Sequence, residues 1–324
     1  MHAIARQFTR SDLDALIALV SRLAAQRWPR MSHLHPGDVV WQFQGAGPKE
    51  NIRLWHVDEL LVGFAWFQPP DTLTFDIDPQ VVNVSGIRRE MLAWAAERRA
   101  AFPPHYPFYL DLQSMDEWRE RLLNPQREAS ASGRYLFASA FDGDPSESAF
   151  LEENGFERTE HVEPYLTRDL DTFVAIAPPA GVTVRHVLEG DFEQRVAVHR
   201  AAWWPSAGFN LERYLRLRAF APMFDPELDL VAQDERGEFG CSTIGWMDAR
   251  SETLFVEPFG THPQWRGAGV SRAVLSELFV RGRRKGMRHV RIYTAGFNRQ
   301  AISLYTGCGL SLVDRRRTYR RTAT

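Results

Sequence analysis

In the second half of the chain, apolar residues fall into three short runs, Leu228 to Ala232, Cys241 to Asp248 and Thr253 to Phe259, which read as successive strands. Val270, Ala273, Val274, Leu278 and Phe279 then recur at helical spacing, and His289 to Thr294 returns to a strand pattern. The predicted order is strand, helix pair, meander, glycine-containing loop, helix, strand, helix, strand. The first half gives a similar alternation. Ile4-Ala5-Arg6-Gln7 leading to Ser11-Asp12-Leu13 has the pattern of Thr183-Val184-Arg185-His186 leading to Gly190-Asp191-Phe192. Near the ends of the halves, Ala149 to Phe156 lies over Ser303 to Leu310.

A duplication accounts for both matches. The first copy is longer by about 25 residues between these landmarks, and the Pro-rich stretch from Ala101 to Ser132 is the expected home of most of the excess. Between the copies, Asp171 to Val182 carries Pro178-Pro179-Ala180-Gly181, where proline removes donors and glycine adds freedom, so it reads as a linker. The expected division is 1–172, a linker at 173–181, and 182–324.

Composition narrows the function classes. The 324 residues are 44% hydrophobic, enough for two ordinary domains. With 39 basic and 41 acidic side chains the formal charge is −2, so no overall field would hold the chain to nucleic acid or an anionic membrane. Met1 to Arg10 lacks a signal-peptide core, and no stretch approaches the roughly 20 apolar residues of a spanning helix, which makes the cytoplasm the expected location. Cys241 and Cys308 are the only cysteines, without a C-x-x-C or His-rich companion. No metal is expected, and both thiols read as buried.

The loop from His262 to Ala273 joins the third strand to the helix at Val270. Glycines at 267 and 269 would let backbone N–H groups turn inward, and the helix N-terminus adds partial positive charge, which together make a pyrophosphate cradle. A P-loop would need Lys-Ser/Thr after its second glycine, and a dinucleotide fingerprint a third glycine in a parallel βαβ unit; neither is present. Gln264-x-x-Gly267-x-Gly269 instead resembles the Gln/Arg-x-x-Gly-x-Gly/Ala signature of the GNAT N-acetyltransferase superfamily, preceded by a His-Pro pair frequent there. Asn298, Ala301, Leu304-Tyr305 and Gly309-Leu310 follow in the family's order. The resemblance is close over residues 253–313 and looser over 182–324.

What the resemblance implies is an α/β fold of mixed layers, with two tandem GNAT-like domains, each a mixed, mostly antiparallel sheet flanked by helices. It also implies acetyl-CoA as co-substrate. Backbone groups of Gly267, Ala268, Gly269, Val270 and Ser271 would hold its pyrophosphate, with Gln264 in the signature and Arg266 or Arg272 supplying charge. The main chain of Phe259 and Thr261, and Asn298, would meet the pantetheine arm. Ser271 departs from the glycine found in many members; its hydroxyl could bond a phosphate oxygen.

An amine with a pKa near ~10 must lose a proton before attacking a thioester. Glu257 resembles the family's strand glutamate that serves as base, and its apolar neighbours Phe255 and Val256 favour a raised pKa. The backbone N–H of Phe259 could stabilise charge on the thioester oxygen. Tyr305 stands at the family's general-acid position.

The first half reads as a degenerate copy. In Asp78 to Arg89 one glycine remains and valines occupy much of the turn; Asp144 stands at the place of Asn298 and Leu151 at that of Tyr305. It is expected neither to bind CoA nor to catalyse, and instead to complete the acceptor pocket or buttress the second domain.

Trp203, Trp204, Phe209, Tyr214 and Phe224 read first as core between helices and second as an acceptor wall. The basic runs Arg281 to Lys285 and Arg315 to Arg321 read as solvated or acid-paired surface rather than a nucleic-acid patch. The function expected is acetyl transfer to a primary amine of a small molecule, with no nucleic-acid or membrane partner. The alternatives are a non-catalytic acyl-CoA sensor and an aminoacyltransferase drawing on tRNA.

Overall fold

A computed structural model describes residues 3–43, 51–104, 112–124, 133–206 and 208–322. The described first half runs β1 (Ile4–Gln7), α1 (Leu13–Arg27), α2 (Pro36–Phe43), β2 (Ile52–Val57), β3 (Leu60–Gln68), β4 (Thr72–Ile77), α3 (Val84–Ala100), α4 (Met115–Leu123), β5 (Tyr135–Phe141), α5 (Pro145–Glu153) and β6 (Glu157–Asp169). The second runs β7 (Val182–His186), α6 (Phe192–Ala202), α7 (Leu211–Phe220), β8 (Asp229–Asp234), β9 (Phe239–Asp248), β10 (Thr253–Thr261), α8 (Val270–Arg284), β11 (His289–Tyr293), α9 (Arg299–Gly307) and β12 (Ser311–Thr322). Apart from α4, the two orders coincide.

The duplication is visible in side chains as well. Arg6 pairs with Asp12 at 2.6 Å, and Arg185 with Asp191 at 2.5 Å. In each case the aspartate, in the turn entering the first helix, also accepts the backbone N–H three residues before it, from Thr9 or Leu188. The same ion pair thus fixes the same strand-to-helix turn twice.

All twelve described strands form one sheet in the order β1-β2-β3-β4-β5-β12-β6-β11-β10-β9-β8-β7. The centre of that order holds an exchange: β12, last in the chain, pairs with β5 of the first half, while β6, last in the first half, pairs with β11 of the second. β6 and β12 also pair antiparallel with each other. A cut at 173–181 therefore divides the chain but not the sheet. Among the described residues only β4–β5 and β10–β11 are parallel pairs.

Helix α8 shows why the second half folds as it does. Val274, Leu275, Leu278 and Phe279 are all buried, each contributing about 1.5–3 kcal/mol. They pack with Leu230 of β8 and Val290 of β11 in one core. Arg281, Arg283 and Arg284 lie at the negative end of the helix dipole. Arg281 pairs with Glu277, and Lys285 with Asp225 and Glu227. On β12, Arg316, Arg317 and Arg320 pair with Glu163, Asp142 and Glu157. Arg281, Lys285, Arg317 and Arg320 are thus acid-paired, whereas Arg316 is paired but largely buried.

The excess length of the first half lies between α3 and β5, where the second half passes from Arg284 to His289 in a short turn. This is the Ala101 to Ser132 stretch, of which 105–111 and 125–132 lie outside the described residues. Cys241 and Cys308 are buried and unlinked. Among the described residues, no helix is long and apolar enough to cross a membrane.

Candidate active site

Strands β10 and β11 pair only from Thr253 to Phe255. From Val256 on, β10 keeps β9 on one edge, after a register shift between Val256 and Phe259, while β11 stays on β6. The two strands therefore fork, and a cavity of about 800 Å³ opens in the fork. Glu257, Phe259, Thr261, Arg266, Gly267, Ser271, Asn298 and Tyr305 all line it. Residues up to 48 positions apart in the chain, Glu257 to Tyr305, are brought to one space.

At the mouth, Gly267 and Gly269 have φ of +82° and +79°, a backbone region that side chains with a Cβ rarely adopt. A Cβ built on Gly267 meets nothing within 4 Å, so the space over the loop is open. The Thr261 and Ser271 hydroxyls lie 2.8 Å apart and tie the strand end to the first turn of α8. The expectation placed Ser271 on a phosphate; the structure gives its hydroxyl this protein partner. Gln264 and Arg272 are exposed and Val270 is buried in the core, and these three, with Ala268 and Gly269, do not line the cavity.

Asn298 has a local role: its Oδ1 accepts from the Ala301 N–H at 3.2 Å, capping α9, and its Nδ2 donates to Thr294 Oγ1 at 3.3 Å. Asp144 caps α5 in the same way, accepting from Ser146 and Glu147. The correspondence of these two positions therefore reflects helix starts in both halves.

Glu257 is half-buried, with its exposed surface in the cavity and protein on the remaining sides. The Trp246 indole donates to its carbonyl at 2.5 Å and fixes the strand there. Burial first, then the negative charge of Asp38, push its carboxyl up to about 8; Arg213 opposes them, and Glu163 adds a smaller push upward. Asp38 and Glu163 both belong to the first half. Tyr305 is buried, its ring centroid 6.3 Å from that of Phe259. Burial, followed by the nearby Glu257, pushes its phenol well above the ordinary range, so it carries its proton at neutral pH.

Sequence reasoning missed part of the wall. Met115, Trp118 and Arg119 of α4 line this cavity, beside Trp203, for which an acceptor wall is the second reading. Of the five aromatic residues weighed between core and acceptor wall, Phe209 and Tyr214 are buried core, Trp204 is 56% exposed, and Phe224 packs on a core cluster. Trp203 alone among them faces the cavity. The one sequence signal for α4 was the length of the insert.

A second cavity of about 560 Å³ lies mostly against the first half, lined by Gln42, Leu73, Phe75, His161 and Glu163 together with Arg316 of β12. It adjoins the first: the His161 ring is 6.2 Å from Phe297, and the Arg316 guanidinium lies 5.3 Å over the Tyr293 ring. None of Asp78 to Arg89 lines it. In that loop Asn83 has φ of +64° and valine follows it into α3, while Leu151 is buried in the core.

Residues 195–310 match the Acetyltransferase (GNAT) family. That match falls within the second half of the chain. Curated relatives include the mycothiol acetyltransferase of Propionibacterium freudenreichii subsp. shermanii, 31% identical over 141 residues, covering 42% of this chain and 45% of that protein. The mycothiol acetyltransferase of Kineococcus radiotolerans is 34% identical over 138 residues, covering 41% of this chain and 43% of its own. The matched segment thus spans less than half of either relative. Among solved structures, a tandem GNAT protein from the clavulanic acid biosynthesis pathway superposes with TM-score 0.63 at 15% identity, covering 100% of this chain and 99% of that one. A GCN5-related N-acetyltransferase from Sphaerobacter thermophilus gives TM-score 0.62 at 20% identity over 99% and 96%. The tandem GNAT fold therefore extends over both halves.

Proposed function

We propose that this chain is an acetyl-CoA-dependent N-acetyltransferase with one working site, in residues 182–324, acting on a primary amine of a small molecule. The observation that carries the proposal is the fork cavity, which brings a left-handed glycine loop, a carboxyl with a raised pKa and a protonated phenol into one space.

The residues present fit the co-substrate. Gly267 stands at positive φ over open space, where a phosphate can approach the main chain, and the forked edge of β10 from Val256 on has no strand partner on the β11 side. Gly267 and Ser271, with the Arg266 charge beside them, would hold the pyrophosphate; the main chain of Phe259 and Thr261 would meet the pantetheine arm as an added strand. Ala268, Gly269 and Val270 complete the loop's turn into α8. Acetyl-CoA supplies an acetyl group activated as a thioester. Glu257 takes the proton from the acceptor amine, directly or through water. The Phe259 N–H faces the charge that develops on the acyl oxygen, and Tyr305 gives its proton to the departing sulfur.

The first half has a different part. With Leu151 in place of a phenol and a valine-rich turn through Asn83 in place of the glycine loop, residues 1–172 serve as a degenerate copy that neither holds CoA nor catalyses. The adjoining cavity, walled by residues of both halves, supports an acceptor lodged where the halves meet. Mycothiol is the compound in the relatives' names; here the acceptor class is a small polar amine.

The test is release of CoA thiol from acetyl-CoA across a panel of polyamines, amino acids, aminoglycosides and peptides. Release with at least one amine is expected. An absence of release with every amine, in protein that binds acetyl-CoA, refutes the enzyme reading in favour of a sensor.

A further inference from the structure

Helix α4 belongs to the insert that the second half lacks, and it buries none of its own residues. A short helix with no buried face gains little from the first half's core. It does reach the second half: the Trp118 ring stands edge-on to Trp203, centroids 6.3 Å apart. Trp203 in turn lies close under β10, where a Cβ on Gly260 would come within 3.0 Å of its indole nitrogen. That nitrogen is buried and has no hydrogen-bond partner among the described residues.

Arg119, one residue beyond Trp118, brings a guanidinium to the same wall as Arg266 and Gly267. Arg266 donates to the carbonyls of Thr261 and Ala202, neither of which offsets its charge. The two guanidiniums are near enough that, after burial, Arg119 is the main influence pressing the Arg266 pKa below its ordinary range. Asp116 lies 2.6 Å from Arg119 and offsets one of the two charges. Two arginines gathered from opposite halves at a left-handed glycine loop leave a net positive mouth. Like charges brought together without a full complement of carboxylates are stabilised by a polyanion between them.

We propose that Arg119 is a cofactor-binding residue: helix α4 of the first half closes over the second half's cavity and its guanidinium bonds a phosphate of CoA. The first half, without a cradle of its own, thereby contributes to the cradle of its twin. This rests on the acetyl-CoA reading above.

Calorimetric titration of the full chain with CoA and with dephospho-CoA tests it, in the wild type, Arg119→Ala, Arg119→Lys and Gly267→Val. The expected result is a roughly tenfold loss of CoA affinity in Arg119→Ala, typical of one exposed charge-assisted contact. Part of the loss is recovered in Arg119→Lys, and the gap narrows as salt is raised. Loss for both ligands assigns the contact to the pyrophosphate, and loss for CoA alone assigns it to the 3′-phosphate; either supports the proposal. Unchanged melting of Arg119→Ala accompanies these results, because α4 contributes no core. CoA affinity within twofold of wild type in Arg119→Ala, with binding abolished in Gly267→Val, overturns this inference and leaves the acetyl-CoA reading standing. No binding of CoA by the wild type overturns both.

Discussion

Replacing Glu257 by Gln removes a base while keeping the shape of the fork. Because the carboxyl is pushed up to about 8, roughly one molecule in ten carries it ionised at pH 7. The ratio of wild-type to Glu257→Gln kcat/KM should therefore rise about tenfold per pH unit below 8 and level off above it; taking the ratio cancels the acceptor amine's own titration. At the plateau a general base is worth roughly 10²–10⁴-fold, so the variant should fall behind by that factor. Stability gives an independent reading. A carboxyl raised in the folded state stays protonated while the unfolded chain ionises, so wild-type stability is lost as pH rises from the ordinary carboxyl range through about 8. Glu257→Gln, which mimics the protonated form, should match the wild type near pH 4, gain on it up to pH 8, and hold that lead beyond. The assays are CoA-thiol release from pH 6 to 9 and urea unfolding over pH 4 to 9. A rate ratio independent of pH, or a variant turning over like the wild type, refutes the assignment of Glu257 as base.

Tyr305→Phe should lower turnover by roughly 10²-fold while acetyl-CoA affinity stays nearly unchanged, measured by thiol release and calorimetry; normal turnover removes the phenol from the chemistry. Asp229 is fully buried, bonded to Arg195 at 2.9 Å and to the Tyr214 hydroxyl at 2.5 Å, so Asp229→Ala strands a buried guanidinium. It should destabilise the fold by about 3–5 kcal/mol in urea unfolding, and a change below 1 kcal/mol refutes that account. Because β6 and β12 are exchanged, residues 1–172 and 182–324 expressed apart should each lack a central strand neighbour and aggregate, and should recover solubility when co-expressed. Two independently soluble, cooperatively melting halves would contradict the exchange.

The loop was legible because its chemistry is local: glycines at 267 and 269 make sense only where φ is positive, and there they are. Tyr305 and Glu257 could be named because each sits a fixed distance from a recognisable element, and the fork unites them. The exchange of β6 and β12 was not legible, since either strand alternates in the same way whichever neighbour it takes. Nor was the reach of α4: Trp118 and Trp203 are far apart in sequence, and the contact between them depends on how the halves pack. Asp38 and Glu163 were missed for the same reason. Their effect on Glu257 comes through space from the other half, and no periodicity marks it. Asn298 answers to a local demand that sequence also shows, since its amide caps α9.

The central claim is one cofactor site on a duplicated fold. It is tested most directly by the stoichiometry of acetyl-CoA binding to the full chain, measured by calorimetry for the wild type and for Gly267→Val, whose β-branched side chain would be strained at a φ of +82° and would fill the cradle. One site per chain, abolished by the substitution, is the expected result. Two sites per chain, or binding that survives in Gly267→Val, would contradict it.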